Sequence, residues 1–364
     1  MNLDALDTPA LVLDMDAMGR NIAKMAEFAR KAGVMLRPHA KTHKSPAVAR
    51  RQIAAGAVGV CCQKVGEAEV MVEGGVTDVL VTNEIVGATK VARLAGLARL
   101  ATIRTVVDHP DGLDALAAAC VAAGVEIGVL VECDLGMGRC GIADPASAVA
   151  LAKRAIAAKG VRFDGLQAYH GKIQHIAGWA QRRAGAEACN AKLAEFRAAF
   201  AAAGVATPII SGAGTGSYEF QTNAGYTEFQ CGTYVFMDKQ YRDVGDETGA
   251  RYGRFEQALF VLATVMSIPS NDRIVLDCGY KTLSVDGGMP EAMDLPGWNF
   301  GFGGDEHGIL RRADAAARLP KLGEKLRIVP AHGDTTINLH DEYQVLSGGK
   351  PTMAWPVAAR GKIR

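Results

Sequence analysis

Arg37-Pro38-His39-Ala40-Lys41-Thr42-His43-Lys44-Ser45-Pro46 follows an apolar run, Val34-Met35-Leu36, and opens the next element. Ser45 is a good helix N-cap and Pro46 suits the first helical position. An apolar strand that ends in a lysine and turns at once into a helix is one βα unit. It presents Lys41 at the carboxyl end of the strand, and the chemistry most often asked of such a lysine is a Schiff base. Taken alone, the segment reads as well as a surface lysine in a basic loop. The rest of the chain decides between the two.

Outward from this segment, short β-rich runs alternate with alanine-rich amphipathic stretches. The runs fall at 35–39, 58–62, 79–82, 103–107, 127–132, 163–169, 208–211 and 228–231. The stretches between them include 46–55, 66–73, 88–98, 111–123, 145–158 and 179–203. Eight strands with helices between them predict a parallel sheet. At this size they predict a closed (β/α)8 TIM barrel over 15–250, with an open doubly wound sheet as the alternative. From about Phe255 the runs lose their intervening helices: 258–265, 273–277, 325–329, 342–346 and 352–357. These predict a C-terminal, mainly antiparallel β domain over 251–364, joined by residues 1–14 through the run 10–14.

Composition narrows the function classes. Of 364 residues, 49% are hydrophobic and 22% charged, as in an ordinary globular protein. A formal net charge of +1 gives no electrostatic case for nucleic acid or an anionic membrane. The longest clean apolar run, 259–266, is too short to span a bilayer. Met1-Asn-Leu-Asp-Ala-Leu-Asp has neither a basic nor an apolar signal region, so a cytoplasmic protein is expected. The eight cysteines are scattered without a CxxC and read as reduced, mostly buried thiols.

In a barrel enzyme the site forms at the carboxyl ends of the strands. Lys41, between His39 and His43, follows the first strand, and Glu132-Cys-Asp-Leu-Gly-Met-Gly-Arg-Cys-Gly141 follows the fifth. Tyr169-His-Gly-Lys-Ile-Gln-His175 follows the sixth, Ser211-Gly-Ala-Gly-Thr-Gly-Ser217 the seventh and Gly232-Thr-Tyr234 the eighth. Loops after strands seven and eight are a recurrent phosphate site, where glycine lets backbone N–H groups approach an anion. A lysine beside a phosphate pocket points to pyridoxal 5′-phosphate. Arg139 suits the pyridine nitrogen, because its pKa is too high to give up a proton, but a structural ion pair is an equal reading. His332-Gly-Asp334, read as extended, would point both side chains one way and hold a divalent cation: Mn²⁺, Mg²⁺ or Zn²⁺. An HxD motif alone is more often a solvated turn. Asp305-Glu-His-Gly308 is a second acidic cluster that could support such an ion, and His109 and His340 read as structural.

The motifs RPHAKTHKSP, VCCQKVGEAE, GMGRCG, LQAYHGKIQH, SGAGTGS, GTYVFMD, DEHG and HGDTTINLHDE, in this order, resemble the D-threonine aldolase and D-serine dehydratase family. These are pyridoxal-phosphate enzymes of the alanine-racemase fold, and the resemblance spans about residues 8–361. It implies that Lys41 is the Schiff-base lysine, that Arg139 faces the pyridine nitrogen, and that His39, Gln63 and Tyr169 lie by the cofactor. It implies phosphate contacts from Gly214, Thr215, Gly216, Ser217, Gly232, Thr233 and Tyr234. It implies that His332 and Asp334 bind the metal, Mn²⁺ before Mg²⁺ or Zn²⁺, with His175 or a metal-bound water as the base. The dehydratase branch carries cysteine two residues after the metal histidine, whereas aspartate at 334 resembles the aldolase branch. The expected activity is retro-aldol cleavage of a β-hydroxy-D-amino acid, D-threonine-like, to glycine and an aldehyde by a homodimer. The alternatives are a D-3-hydroxyaspartate aldolase, a D-serine dehydratase and, in another class, a non-catalytic pyridoxal-phosphate carrier.

Overall fold

The computed structural model describes residues 3–364. The first strand, β1 (Ala10–Asp14), leads into α1 (Met15–Ala32), which starts where the Asp14 side chain accepts from the Asp16 and Ala17 N–H groups. The helix ends at Gly33, whose φ of 68° is the left-handed conformation that glycine adopts without strain. Its buried Met18, Ile22, Met25 and Ala29 recur every three to four residues, the spacing of one helix face.

Eight parallel strands follow: β2 (Met35–Leu36), β3 (Val60–Cys62), β4 (Asp78–Glu84), β5 (Thr102–Val107), β6 (Ile127–Glu132), β7 (Val161–Ala168), β8 (Ile209–Gly212) and β9 (Glu228–Phe229). Between them run α2 (Pro46–Ala54), α3 (Val65–Glu73), α4 (Ala88–Leu97), α5 (Pro110–Ala123), α6 (Pro145–Ala157) and α7 (Trp179–Ala202), with the single turn α8 (Tyr218–Gln221) before β9. The sheet runs from β2 through β9 back down to β3, and a parallel bridge from His39 to Cys61 joins its two ends. The barrel is therefore closed. Ser45 holds the N-cap position of α2, but its hydroxyl makes no cap hydrogen bond. Instead its N–H donates to the buried His43 Nδ1 at 3.1 Å.

Strand side chains alternate, so each second residue enters the barrel interior in a layer. The lowest layer is ionic. Arg37 donates to Glu228 at 3.0 Å and to Asp78 at 2.5 Å, and Arg104 donates to Asp78 and Asp164, both at 2.8 Å. Gly128 leaves room for this layer, since a Cβ there would come within 2.2 Å of Asp164 Oδ2. Deleting one partner of such a buried pair costs about 3–5 kcal/mol, because the other charge stays buried alone. Above it Cys61, Leu80, Val106 and Leu130 form an apolar plug with Ile209. The top layer is polar and forms the floor of the site.

Beyond the barrel, the short α9 (Lys239–Arg242) leads to the second sheet. Its strands are β10 (Leu259–Ser270), β11 (Arg273–Leu276), β12 (Glu291–Ala292), β13 (Trp298–Phe302), β14 (Gly308–Arg312), β15 (Lys325–Val329), β16 (Glu342–Ser347) and β17 (Lys350–Pro356). β1 joins them, antiparallel to β10 and parallel to β16, and every other pairing is antiparallel. The β13–β14 hairpin was not legible in the sequence. Gly301, Gly303, Gly304 and Gly308 dilute its β-propensity, and the Asp305-Glu-His307 cluster is its exposed turn.

One further difference bears on function. Residues 332–334 are not extended: His332 is the N-cap of a short helix, α10 (Gly333–Ile337), with Asp334 in its first turn. The segment before α10 is fastened to the barrel, because Lys239 N donates to Pro330 O at 3.1 Å and Gln240 N to Ala331 O at 3.0 Å. The Asp238 carboxylate accepts from Gly333 N at 2.8 Å and Tyr241 N at 3.0 Å. Residues of two sheets thus meet over the barrel mouth.

Candidate active site

A cavity of about 200 Å³ opens over the polar layer. His39, Lys41, Gln63, Arg139, Tyr169, His175, Thr233, His332 and Asp334 line it, with Thr82, Gln167, Gln230 and Tyr241. A larger cavity, about 900 Å³, lies between α4 and α5; of the residues singled out in the sequence only His109, read as structural, lines it. Of the remaining sequence-predicted residues, Gly214, Thr215, Gly216, Ser217, Gly232 and Tyr234 are not among those lining it.

The floor orders His39. Lys41 N donates to His39 Nδ1 at 3.4 Å, so the ring proton sits on Nε2, which faces Gln63 Oε1 at 3.2 Å and Thr82 Oγ1 at 3.1 Å. Burial, then the charge of Lys41, pushes this imidazole down to about 3, so it is neutral at pH 7. Gln167 and Gln230 exchange side-chain hydrogen bonds at 2.7 and 3.2 Å and complete the floor.

Lys41 Nζ reaches Asp334 Oδ2 at 2.5 Å. Burial would lower the lysine, but the Asp334 carboxylate and then Tyr169 outweigh it and hold the ammonium above its ordinary value. Burial would likewise raise Asp334, but the charges of Lys41 and His332 hold it well below the usual carboxylate range. Its second oxygen, Oδ1, is buried and has no hydrogen-bond partner. His175 stacks against Tyr241 with ring centroids 4.5 Å apart. Burial, then His332 and Lys41, lowers its imidazole to about 4. Arg139 lies with its guanidinium carbon 5.8 Å from the centre of the Tyr169 ring. Near it, burial and then the neighbouring Glu84 push the Glu132 carboxyl above its ordinary value.

The loops after β8 and β9 interlock. Tyr234 N donates to Thr215 Oγ1 at 3.0 Å, and Gly216 N donates to Gln174 Oε1 at 3.0 Å. A Cβ on Gly216 would come within 2.2 Å of Gln174 O, and one on Gly232 within 2.6 Å of Thr42 Oγ1. The Ser217 hydroxyl is committed internally, donating to Gln221 at 2.6 Å and accepting from Gln174 at 2.8 Å. The Tyr234 ring points into the core, where its hydroxyl accepts from Gln52 at 3.1 Å. The three non-glycine residues with left-handed φ among the described residues are Lys44, Ala213 and Met237, all in loops after barrel strands. Such strained backbone clusters where loops are held for function.

These residues fit a phosphorylated aldehyde cofactor: a lysine amine and a guanidinium line one mouth, and Thr233 brings one of the tight glycine loops to its wall. Among the described residues no cluster of three or more His, Cys, Asp or Glu forms a metal site. His332 and Asp334 nevertheless share the cavity wall, and the buried Asp334 Oδ1, with the Thr42 hydroxyl as its polar neighbour, is not committed to Lys41. One imidazole and one carboxylate suit a hard divalent ion completed by water. Sequence reading missed two carboxylates here. Asp286 Oδ2 lies 2.5 Å from His332 Nδ1, whereas Glu306 of the expected supporting cluster pairs with Lys281 at 2.5 Å. Asp238, which ties Gly333 to the barrel, carried no signal beyond its place in the motif ending at 238.

Comparison with known proteins places this geometry. Residues 13–240 match the family model described as "Alanine racemase, N-terminal domain", and residues 258–346 the one described as "Putative serine dehydratase domain". The chain is 45% identical to a D-threonine aldolase of Arthrobacter sp., covering 100% of this chain and 95% of the relative. It is 43% identical to a 3-hydroxy-D-aspartate aldolase of Paracoccus denitrificans, covering 100% and 94%. The crystal structure of a D-threonine aldolase from Filomicrobium marinum superposes with a TM-score of 0.94 at 45% identity, covering 100% of this chain and 97% of that one.

Proposed function

The chain belongs to the D-threonine aldolase and D-serine dehydratase family of alanine-racemase-fold enzymes, and from that premise we propose a metal-dependent D-threonine-type aldolase. The reaction is the cleavage of a β-hydroxy-D-amino acid to glycine and an aldehyde, by a carbon–carbon lyase. One observation carries this reading: Lys41, His175 and the His332–Asp334 pair, from three distant points of the chain, line a single cavity.

Pyridoxal phosphate supplies an electron sink for the pair left on Cα when the bond to Cβ breaks. Lys41 would hold the cofactor covalently. The loops bearing Gly214–Thr215–Gly216–Ser217 and Gly232–Thr233–Tyr234 would hold its phosphate, and His39, Gln63 and Tyr169 would flank its ring. Arg139 would face the pyridine nitrogen and, keeping its own proton, leave that nitrogen without one. His332 and Asp334 would hold a divalent ion, Mn²⁺ first, which supplies Lewis acidity to the substrate's β-hydroxyl. His175 is neutral at pH 7 and lines the same cavity, so it can take the β-hydroxyl proton.

Asp334 favours aldol cleavage over β-elimination of D-serine. A carboxylate prefers a hard, hydrated ion, whereas the thiolate of the dehydratase branch prefers zinc. The similarity to a 3-hydroxy-D-aspartate aldolase keeps that substrate as the second reading. A non-catalytic carrier does not suit a chain with a second sheet that brings His332 and Asp334 to the lysine. The same resemblance supports a homodimer, the eight free, mostly buried cysteines support a cytoplasmic setting, and no described helix is long and apolar enough to cross a membrane. The test is aldehyde and pyruvate release from D-threonine, L-threonine, D-phenylserine, D-3-hydroxyaspartate and D-serine, with and without EDTA. Aldehyde from the D-substrates that EDTA abolishes is expected. Pyruvate from D-serine alone, or turnover indifferent to EDTA, overturns the reading.

A further inference from the structure

Asp286 lies on the loop between β11 and β12, 46 residues before the histidine it touches. Its Oδ2 is 2.5 Å from His332 Nδ1, and its Oδ1 is 2.7 Å from Thr335 Oγ1. Thr335 Oγ1 is in turn 2.8 Å from Ser284 Oγ, and Ser284 N donates to Thr336 Oγ1 at 3.2 Å. Gly287 packs so closely that a Cβ there would come within 2.7 Å of the His332 Cβ. The Asp286 carboxylate is thus oriented at both oxygens, although it stands at the rim of the site.

An imidazole whose Nδ1 faces a carboxylate keeps its proton on that nitrogen and leaves Nε2 as the lone-pair donor. We propose that Asp286 is a positioning residue for the divalent-ion site. It fixes His332 in the Nδ1–H tautomer and locks the ring, so that Nε2 is ready to bind the ion without reorientation. A histidine free to rotate and to change tautomer would surrender part of its binding free energy to ordering. This inference rests on the reading of His332 and Asp334 as the metal pair.

The experiment titrates Mn²⁺ into metal-stripped, cofactor-loaded enzyme and reads free Mn²⁺ by electron paramagnetic resonance. Cofactor absorbance and melting temperature are recorded alongside. D286A should weaken Mn²⁺ binding about 10–100-fold, the usual effect of removing a ligand's hydrogen-bond partner, with cofactor absorbance unchanged. D286N, whose side-chain oxygen still accepts from Nδ1–H, should recover most of that affinity. T335V leaves Asp286 in place but frees one of its oxygens, and should weaken binding only a few-fold. H332A is the control and should lose Mn²⁺ binding. If D286A binds Mn²⁺ like the unaltered enzyme while H332A does not, the positioning role is wrong. If D286N is as weak as D286A, the carboxylate charge itself is needed and the tautomer argument falls. Unchanged affinity in H332A would instead remove the metal assignment on which the proposal stands.

Discussion

Lys41 Nζ and Asp334 Oδ2 meet at 2.5 Å across 293 residues of chain, one at the end of the first barrel strand and one in the first turn of a β-domain helix. In the proposed reading one carboxylate therefore serves two cations, the ammonium before the cofactor attaches and the divalent ion afterwards. Covalent loading of Lys41 and metal loading of Asp334 then favour one another, because each removes a competitor for the same group.

Lys41→Ala should abolish the cofactor absorbance that borohydride traps as a covalent adduct. Mass spectrometry of the reduced, digested protein places the adduct. Trapping on a different lysine of the unaltered enzyme would remove the core of the proposed mechanism.

His332→Ala and Asp334→Ala should each keep the cofactor colour and lose metal-dependent aldehyde release. One remaining protein ligand is too few to hold the ion, while the glycine loops are untouched. Full activity of either variant in EDTA would contradict the metal assignment.

Asp334→Cys should shift the metal preference from Mn²⁺ toward Zn²⁺ and lower aldehyde release. Metal-stripped variant reconstituted with each ion, with aldehyde and pyruvate both measured, provides the check. Unchanged preference and unchanged rate would mean that Asp334 is no ligand.

Gly216→Ala should loosen the cofactor. The added methyl meets Gln174 O at 2.2 Å, a backbone atom that cannot swing aside. Overpacking of this kind costs about 1–3 kcal/mol, or roughly 5–150-fold in affinity if it falls on the bound state. Equilibrium dialysis of pyridoxal phosphate against the variant measures it, and affinity equal to the unaltered enzyme would show that this loop does not carry the phosphate.

In the proposed mechanism the lowered imidazole of His175 sets the acid limb of the rate profile. Because burial lowers this imidazole to about 4, it stays neutral as pH falls through the ordinary histidine value of 6.5. D-threonine cleavage should therefore persist below pH 6.5 and fail as pH approaches 4, and His175→Gln should cost about 10²–10⁴-fold, the typical worth of a general base. An intact rate in that variant would transfer the base role elsewhere.

Much of this protein was determined by local sequence. Short β-rich runs alternating with alanine-rich amphipathic stretches specify the eight parallel strands, because each segment's own composition and periodicity choose its element. Ser45-Pro46 marks where the first barrel strand gives way to a helix, and so where Lys41 stands. The motifs around Lys41, Arg139, Tyr169 and His332 were enough for the family. What the tertiary structure alone decided are relationships with no local signature. The bridge from His39 to Cys61 closes the barrel, yet either residue alone reads as an ordinary strand residue. The segment 332–334 looked extended but is the start of a helix, held by Asp238 from the barrel. Asp286, and not the Asp305–His307 turn, reaches His332, since a charge in a glycine-rich loop carries no mark of its partner until the fold brings the two together. The physical reason is the same in each case. Secondary structure is encoded within a few residues, whereas an ion pair between distant loops depends on where the sheets between them place their ends.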